Sequence, residues 1–247
     1  MQKFPKRIIK VWLRFAVAVC LFLFLNLLLG KVYSTSTTLL SLMAWESVGN
    51  SNWYILAILV LYILSYIGGR ITSQDSLATI IFVTTGCCIY VVMLILCGKG
   101  SWYYNTIFCY PLGMLFGKYE HNIRTLLEKT DTYLMIVVGC AVMFTASYLC
   151  AMRYRGVIWL LMVELRGIFF VLLVILATSR IRIGNPVLDW LGKHTFEIYI
   201  LQRLPMIALR GIGVNQYVYF LICAAVTGLA AFLYQKLIGT LLVKCHL

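Results

Sequence analysis

Three polar side chains lie at helical spacing inside an apolar stretch near the end of the chain, residues 185–206, NPVLDWLGKHTFEIYILQRLPM. Thr195, Tyr199 and Gln202 are four and three positions apart, so a helix places them on one face, where they are candidates to line a shared cavity. Hydroxyl and amide groups of this kind hydrogen-bond polar ligands. Asn185-Pro186 predicts the turn that starts the helix. The pattern also fits a transmembrane helix whose few polar groups are bonded within the protein.

Two ionisable residues, Glu164 and Arg166, interrupt the apolar sequence IWLLMVELRGIFF. A charged side chain inside a membrane is expensive, so such residues normally face the protein interior, a partner or a water-filled cavity. Because they are two positions apart, they do not face each other on a helix, and each needs its own partner. Both are therefore candidates to line a cavity.

Three basic residues near the start of the chain, Arg7, Lys10 and Arg14, recur at spacings of three and four. They predict one basic helical face at a membrane interface. One interpretation is that their long side chains anchor the helix at that interface. The other is that this face binds the phosphates of a ligand, because a guanidinium group binds phosphate through two parallel hydrogen bonds.

Membrane helices must position these groups. Hydrophobic residues make up 62% of the 247 residues and charged residues 12%, a composition far too apolar for an ordinary soluble domain. A helix needs roughly 20 apolar residues to cross a bilayer. The sequence therefore predicts an all-α, polytopic helical membrane protein. Its eight predicted transmembrane helices are residues 12–30, 52–69, 77–97, 102–117, 133–151, 157–178, 189–209 and 217–243.

The formal net charge is +13, but the basic residues are spread over the loops and form no single patch that would bind nucleic acid. If the N-terminus is cytoplasmic, most of them lie on the inside. The basic residues clearly outside are then Lys31, Lys99, Arg153, Arg155 and Arg210. This asymmetry predicts a multi-pass protein of the cell membrane with both termini in the cytoplasm, as in a bacterial inner membrane. The first basic cluster is expected to contact membrane lipids.

No internal repeat, low-complexity tract or long linker divides the sequence, so residues 1–247 are expected to form a single membrane-embedded domain. The nine cysteines are odd in number, lie mostly in apolar runs and form no CxxC pair. They are interpreted as small buried side chains, because neither a disulfide framework nor a zinc site has this pattern. No metal site is expected.

Four segments resemble, in this order, parts of the integral-membrane acyltransferase-3 family: FPKRIIKVWLRF, NWYILAILVLYIL, FCYPLGMLFGKYE and NPVLDWLGKHTFEIYILQRLPM. The last match is the most specific. In it a leucine-glycine-lysine turn precedes a helix that carries a serine or threonine and ends in an Ile-Tyr-Leu-type sequence and a polar residue. The resemblance implies about ten spans with both ends cytoplasmic, and the eight predicted here look like that domain without its first two helices.

The resemblance also implies roles for individual residues. Arg7 and Lys10 look like the family's Arg-x-x-Arg motif, with lysine in the second place, and would bind donor phosphates. Where many relatives end the last motif in histidine, this chain has Gln202, which cannot shuttle a proton near neutral pH. The family's catalytic histidine belongs to a first helical region with no counterpart upstream of Lys3, which leaves the catalytic residue unknown. The histidines present match no such position: His121, His194 and His246.

The activity that the resemblance implies is transfer of an acyl group, such as acetyl, from cytoplasmic acyl-CoA to a hydroxyl of a cell-envelope sugar, glycan or lipid-linked saccharide. Acyl-CoA would be a substrate, and no bound cofactor is expected. The missing histidine region leaves open an N-terminally shortened chain that is inactive alone. The alternative class is a non-enzymatic membrane protein, either a small-molecule or glycan transporter or an assembly partner, because polar residues within spans also suit a translocation path.

Overall fold

The computed structural model describes residues 3–181, 184–211 and 213–244. These residues form helices and connecting turns, and no strand occurs among them. The helices are α1 (Lys3–Leu28), α2 (Thr35–Leu42), α3 (Trp53–Ile71), α4 (Ser76–Leu96), α5 (Cys109–Lys118), α6 (Glu120–Glu128), α7 (Thr130–Arg153), α8 (Gly156–Arg180), α9 (Pro186–Leu201), α10 (Arg203–Ala208) and α11 (Gln216–Lys244), with a short 3₁₀ turn at Ser101–Tyr103.

Six of the described helices, α1, α3, α4, α7, α8 and α11, are long and apolar enough to cross a membrane. The shortest of them, α3, has 19 residues, which at 1.5 Å per residue is about 28 Å and matches a hydrocarbon core of about 30 Å. The predicted all-α, multi-pass membrane class is confirmed.

The predicted fourth span, residues 102–117, is not one continuous helix. The chain passes through the 3₁₀ turn and an irregular segment before α5, which has only 10 residues. Thr106 has a φ of +72°, a left-handed conformation that a helix cannot contain. A helix of this length covers about half of a bilayer.

The predicted seventh span, residues 189–209, is divided into α9 and α10 at Gln202. Pro205 has no N–H group to donate to the Leu201 carbonyl, so the helix ends one turn before the proline. The predicted start is confirmed: the Asn185 side chain accepts a hydrogen bond of 2.8 Å from Leu188 N, and Pro186 occupies the first helical position.

The chain divides into two compact units: unit 1 contains Met1–Leu59 and Gly184–Leu247, and unit 2 contains Val60–Ile183. In unit 1, α1 packs against α9, α10 and α11. Most side chains of its core are aliphatic or aromatic, since they form the inward faces of otherwise lipid-compatible helices; they include Phe15, Val19, Phe22, Ile55, Ile200, Leu201, Tyr234 and Ile238.

In unit 2, α7 and α8 form an antiparallel hairpin, and α5 and α6 lie against it. A small core forms between α6, α7 and α8 around Leu127, Cys140 and Leu176. The expectation of buried cysteines is correct for Cys87, Cys140 and Cys223 and wrong for Cys20, Cys88 and Cys97, which are exposed on their helices or at their ends. A thiol is apolar enough to face lipid, so an apolar run does not distinguish the two environments.

Candidate functional site

An ion pair joins α1 to α9 within unit 1. Nη1 of Arg14 donates to Oε1 of Glu197 over 2.7 Å. The exposed fraction of the side chain is 2% for Glu197 and 30% for Arg14. A buried carboxylate is costly unless a cation and hydrogen bonds replace its water. Arg14 therefore compensates the burial of Glu197 and holds the two helices together.

A third helix joins this pair through Tyr234 of α11. The Tyr234 hydroxyl donates to the backbone carbonyl of Arg14, and the residue is only 5% exposed. Nε of Arg14 is buried and has no hydrogen-bond partner among the described residues. Three helices thus meet at the ion pair, and the buried Nε–H of its guanidinium has no partner among the described residues.

The helices α1 and α9 run in the same direction. Arg14 contacts Glu197. Later in the chain from each partner, Phe22 of α1 and Ile207 of α10, which follows α9, both approach the loop residue Gly49. Residues that precede Arg14 on α1 therefore lie on the same side of the ion pair as residues that precede Glu197 on α9.

The two candidate phosphate-binding residues lie on that side. Arg7 is exposed and lies about two turns before Arg14, and Lys10 is half-buried and lies about one turn before it. Neither makes an ion pair or side-chain hydrogen bond within the described part of the chain. The predicted basic face is present, but its three members differ: Arg14 is neutralised by Glu197, whereas Arg7 and Lys10 are available to an anion.

His194 lies one turn before Glu197 on α9 and is 6% exposed. Its ring stacks on Trp190 with centroids 4.3 Å apart, and Nδ1 lies 2.8 Å from the Trp190 carbonyl oxygen. A carbonyl only accepts, so Nδ1 carries the hydrogen and Nε2 of the neutral ring is a free acceptor. Among the described residues, the hydrogen bond of Nδ1 is the one that His194 makes, and Nε2 has no hydrogen-bond partner. Nε2 is therefore available as a hydrogen-bond acceptor.

Thr195, Tyr199 and Gln202 do not line the shared cavity that their spacing predicted. Thr195 is exposed, and its hydroxyl donates to the Leu191 carbonyl of its own helix. The Tyr199 hydroxyl accepts a hydrogen bond of 3.3 Å from the backbone N of Tyr54. Its ring packs edge-on against Tyr54 and Trp53, at 5.2 and 5.8 Å between centroids. The helical spacing predicted correctly that these residues lie on one helix, but it did not predict the groups that each of them contacts.

Gln202 lines a separate groove between α9, α10 and α11. Its volume is about 410 Å³, and its other walls are almost entirely apolar, including Trp190, Ile198, Met206 and Phe220. The amide is exposed at the point where α9 ends. Gln202 is therefore one of three polar side chains, with Tyr219 and Thr227, in a mostly apolar groove.

Glu164 and Arg166 of α8 each have a separate partner in unit 2, as their spacing predicted. Oε1 of Glu164 accepts a hydrogen bond of 3.0 Å from the Thr106 backbone N, and Oε2 is buried without a partner among the described residues. The Arg166 guanidinium lies 5.7 Å from the centre of the Tyr148 ring on α7. Glu164 binds the irregular segment before α5, so neither side chain joins the group around Glu197.

The sequence-based prediction missed Glu197 and Tyr234. Glu197 follows the same rule that singled out Glu164, because it is an ionisable residue within a predicted span and must face a partner. That rule identifies Glu197 as buried and paired. It does not identify Arg14 as the partner, because the two residues are 183 positions apart.

A comparison with protein-family models identifies the family of this chain. The family model described as "Acyltransferase domain", acyltransferase-3, matches residues 1–235. The chain belongs to the acyltransferase-3 family. Searches of curated proteins and of solved structures returned no match. Membership of this family supports a membrane acyltransferase. The matched range includes Arg7, Lys10, the Arg14–Glu197 pair, His194 and Gln202.

Proposed function

We propose that this acyltransferase-3 chain transfers an acyl group, most simply acetyl, from acyl-CoA to a hydroxyl of a cell-envelope sugar or lipid-linked glycan. The observation that carries the proposal is the position of Arg7 and Lys10. They are unpaired cations on α1, with Arg7 about two turns and Lys10 about one turn before Arg14 of the ion pair, within the range that matches the family.

Arg7 and Lys10 would bind the phosphates of the donor. Arginine offers a planar fork that binds phosphate through two hydrogen bonds, and lysine adds a compact charge without that geometry. The Arg14–Glu197 pair and Tyr234 hold α1 in place relative to α9 and α11, so the two cations are presented on a fixed backbone. Binding would orient the thioester end of the donor along the helices.

The transfer step needs an acceptor for one proton. The hydroxyl oxygen of the sugar forms a bond to the thioester carbonyl carbon, its proton passes to a base, and the carbon–sulfur bond breaks. The departing CoA thiolate then takes that proton from the base, and the base returns to its starting protonation state. Nε2 of His194 suits this role by geometry: it is a free acceptor on a held ring, and it lies on the same side of the ion pair as Lys10.

In the cell the donor would be cytoplasmic. The basic residues that precede the first span, including Arg7 and Lys10, would face the cytoplasm under the positive-inside rule. We place the protein in the cell membrane with both termini cytoplasmic, and the acceptor would be a saccharide that the membrane-embedded site can reach. No observation on the described residues favours a transporter or an assembly partner over this reading.

The test is acetyl-CoA binding by the purified full chain in detergent, compared with S-acetylpantetheine, which has the thioester but no phosphates. Arg7→Ala and Lys10→Ala should each weaken acetyl-CoA binding by roughly ten-fold, the effect of about one charge-assisted hydrogen bond. S-acetylpantetheine binding should not change. Arg153→Ala is the matched control, because Arg153 is an exposed arginine at the end of α7 in unit 2.

Two outcomes would overturn the donor site. One is equal acetyl-CoA affinity in the unchanged chain, both α1 variants and the control. The other is no binding of acetyl-CoA by a chain that circular dichroism shows to be folded. Transfer itself is measured separately, as acetyl groups moved from acetyl-CoA to a saccharide or water, so that a chain that binds without transferring is recognised.

A further inference from the structure

A cavity of about 590 Å³ lies in unit 2, where α5, α6 and α8 meet. It is separate from the site on α1 and α9, because none of its lining residues belongs to unit 1. α8 is a long apolar helix that ends here at Arg180, and α5 ends here at Lys118. The ends of membrane helices lie at the boundary between hydrocarbon and headgroups. The cavity therefore lies at the level of lipid headgroups.

Arg180 is held at the wall of this cavity. Its Nη2 donates to the carbonyl oxygens of Leu127 and Glu128 over 2.7 and 3.1 Å. Its guanidinium also lies 4.7 Å from the centre of the Tyr133 ring. These contacts involve Nη2 and one face of the guanidinium group. Nε and Nη1 have no hydrogen-bond acceptor in the described part of unit 2. An arginine fixed in this way presents its remaining N–H groups without a large loss of side-chain freedom.

A second arginine and an unpaired carboxylate share the wall. Arg124 forms an exposed pair with Glu120 through Nε and Nη2, at 2.9 and 2.7 Å, which leaves Nη1 free. Glu128 also lines the cavity. Its carboxylate has no ion pair or hydrogen bond among the described residues. The lining thus carries positive and negative groups together. A ligand with only negative charge would be repelled by the carboxylate of Glu128, so the lining does not favour binding of a simple anion.

The remaining walls divide into hydroxyl and apolar groups. Thr178 and Ser179 line the cavity, and their hydroxyls donate to carbonyls of their own helix. Their oxygens can therefore only accept further hydrogen bonds. Phe116 and Ile175 supply apolar wall. Ile175 lies five residues inside the end of α8, about 7 Å deeper than Arg180.

We propose that this cavity binds the headgroup of an aminophospholipid, with its phosphate on Arg180 and Arg124 and its ammonium group on Glu128. The charges are complementary to a zwitterion: two guanidinium edges meet the phosphate, while a free carboxylate and hydroxyl oxygens accept from the ammonium N–H groups. The apolar wall at Phe116 and Ile175 contacts the start of an acyl chain. Phosphatidylglycerol would leave Glu128 unpaired, and a trimethylammonium headgroup has no N–H to donate.

The experiment measures lipid retention by native mass spectrometry of the full chain, delipidated in detergent and supplied with equal amounts of phosphatidylethanolamine, phosphatidylcholine and phosphatidylglycerol. The unchanged chain should retain phosphatidylethanolamine best. Glu128→Gln should reduce that preference over phosphatidylglycerol by roughly five-fold or more, because the ammonium loses its charged acceptor. Asp189→Asn is the matched control: Asp189 is an exposed carboxylate of unit 1 that pairs with Lys193.

Arg124→Gln should weaken retention of phosphatidylethanolamine and phosphatidylglycerol together, since both carry the phosphate. It is preferred to a change at Arg180, which also holds the carbonyls of Leu127 and Glu128. A preference for phosphatidylglycerol, equal retention of the ethanolamine and choline lipids, or Glu128→Gln behaving like Asp189→Asn would each overturn the proposal. Coenzyme A is added in a separate arm, and displacement of the lipid by it would assign the arginines to a soluble phosphate instead.

Discussion

Arg14 and Glu197 are 183 positions apart in sequence and 2.7 Å apart in the structure. Arg14 lies on the first helix and Glu197 on a helix that follows all of unit 2 in sequence, so residues 60–183 separate the two partners along the chain. The carboxylate is almost completely buried and the guanidinium partly so. The pair therefore joins the two sequence segments of unit 1 through a polar contact in an otherwise apolar core.

Replacing one partner of this pair should destabilise the chain strongly. Glu197→Gln keeps the shape but leaves the Arg14 charge facing a neutral group, and the expected loss is about 3 kcal/mol in the free energy of unfolding. Thermal unfolding of the purified chain, followed by circular dichroism, measures it. The double variant Arg14→Met, Glu197→Leu should recover most of the loss, because two apolar side chains need no compensation. A double variant as unstable as the single one would show that the helices depend on the pair for more than charge compensation.

The availability of Arg7 and Lys10 leads to a gain-of-affinity prediction. Lys10→Arg adds a second arginine fork to α1, as in the Arg-x-x-Arg pattern that the family resemblance implies, and acetyl-CoA binding should become roughly three- to ten-fold tighter. Isothermal titration with acetyl-CoA measures the effect. Lys236→Arg on α11 is the control, because it changes an exposed lysine of the same unit without restoring the motif. Equal affinity in the two variants would mean that Lys10 does not touch a phosphate.

The sequence was sufficient for the class and for the helices that depend on length alone. Hydropathy identifies α1, α3, α4, α7, α8 and α11, because each is a long apolar run. Hydropathy did not predict where local backbone geometry interrupts a helix. A left-handed Thr106 and a proline at position 205 break two predicted spans, and a hydropathy window averages over both.

The candidate site was predictable only in part, for a similar reason. Periodicity places residues on a face but does not say which helix packs there. Glu164 and Arg166 were correctly expected to need separate partners, whereas Thr195, Tyr199 and Gln202 face three different surroundings along one helix. The partner of Glu197 is distant in sequence, and its identity depends on tertiary packing that no local pattern encodes.

The two nitrogens of His194 can be tested separately. Nδ1 is bonded to the Trp190 carbonyl, and Nε2 is free. His194→Asn keeps a donor near the position of Nδ1 and removes Nε2, so acetyl transfer should fall by roughly 100-fold while the thermal midpoint changes little. His194→Gln places an amide near Nε2 without a base, and it should be equally slow.

The distinction between chemistry and structure comes from rescue and from a matched histidine. Added imidazole should restore part of the transfer by His194→Gly, since the free base can occupy the space left by the ring. His121→Asn, at an exposed histidine of α6, should transfer at the unchanged rate. Transfer that persists in His194→Asn would remove His194 from the reaction while leaving acetyl-CoA binding by Arg7 and Lys10 untouched.

The packing of Gly167 on α8 against Thr106 predicts a steric effect at the irregular segment before α5. A Cβ at position 167 would lie 2.7 Å from Cγ2 of Thr106, so Gly167→Ala should push this segment away from Glu164 and destabilise the chain by about 1–3 kcal/mol. Gly113→Ala on α5 meets no atom within 4 Å and should be neutral or stabilising by about 0.5–1 kcal/mol. Combining Gly167→Ala with Thr106→Gly should restore stability, because glycine removes the clashing methyl group and adopts a φ of +72° without strain. Thermal unfolding of the three variants and the unchanged chain measures these effects. If Gly167→Ala is as stable as Gly113→Ala, the contact between α8 and this segment is not close enough to position Glu164.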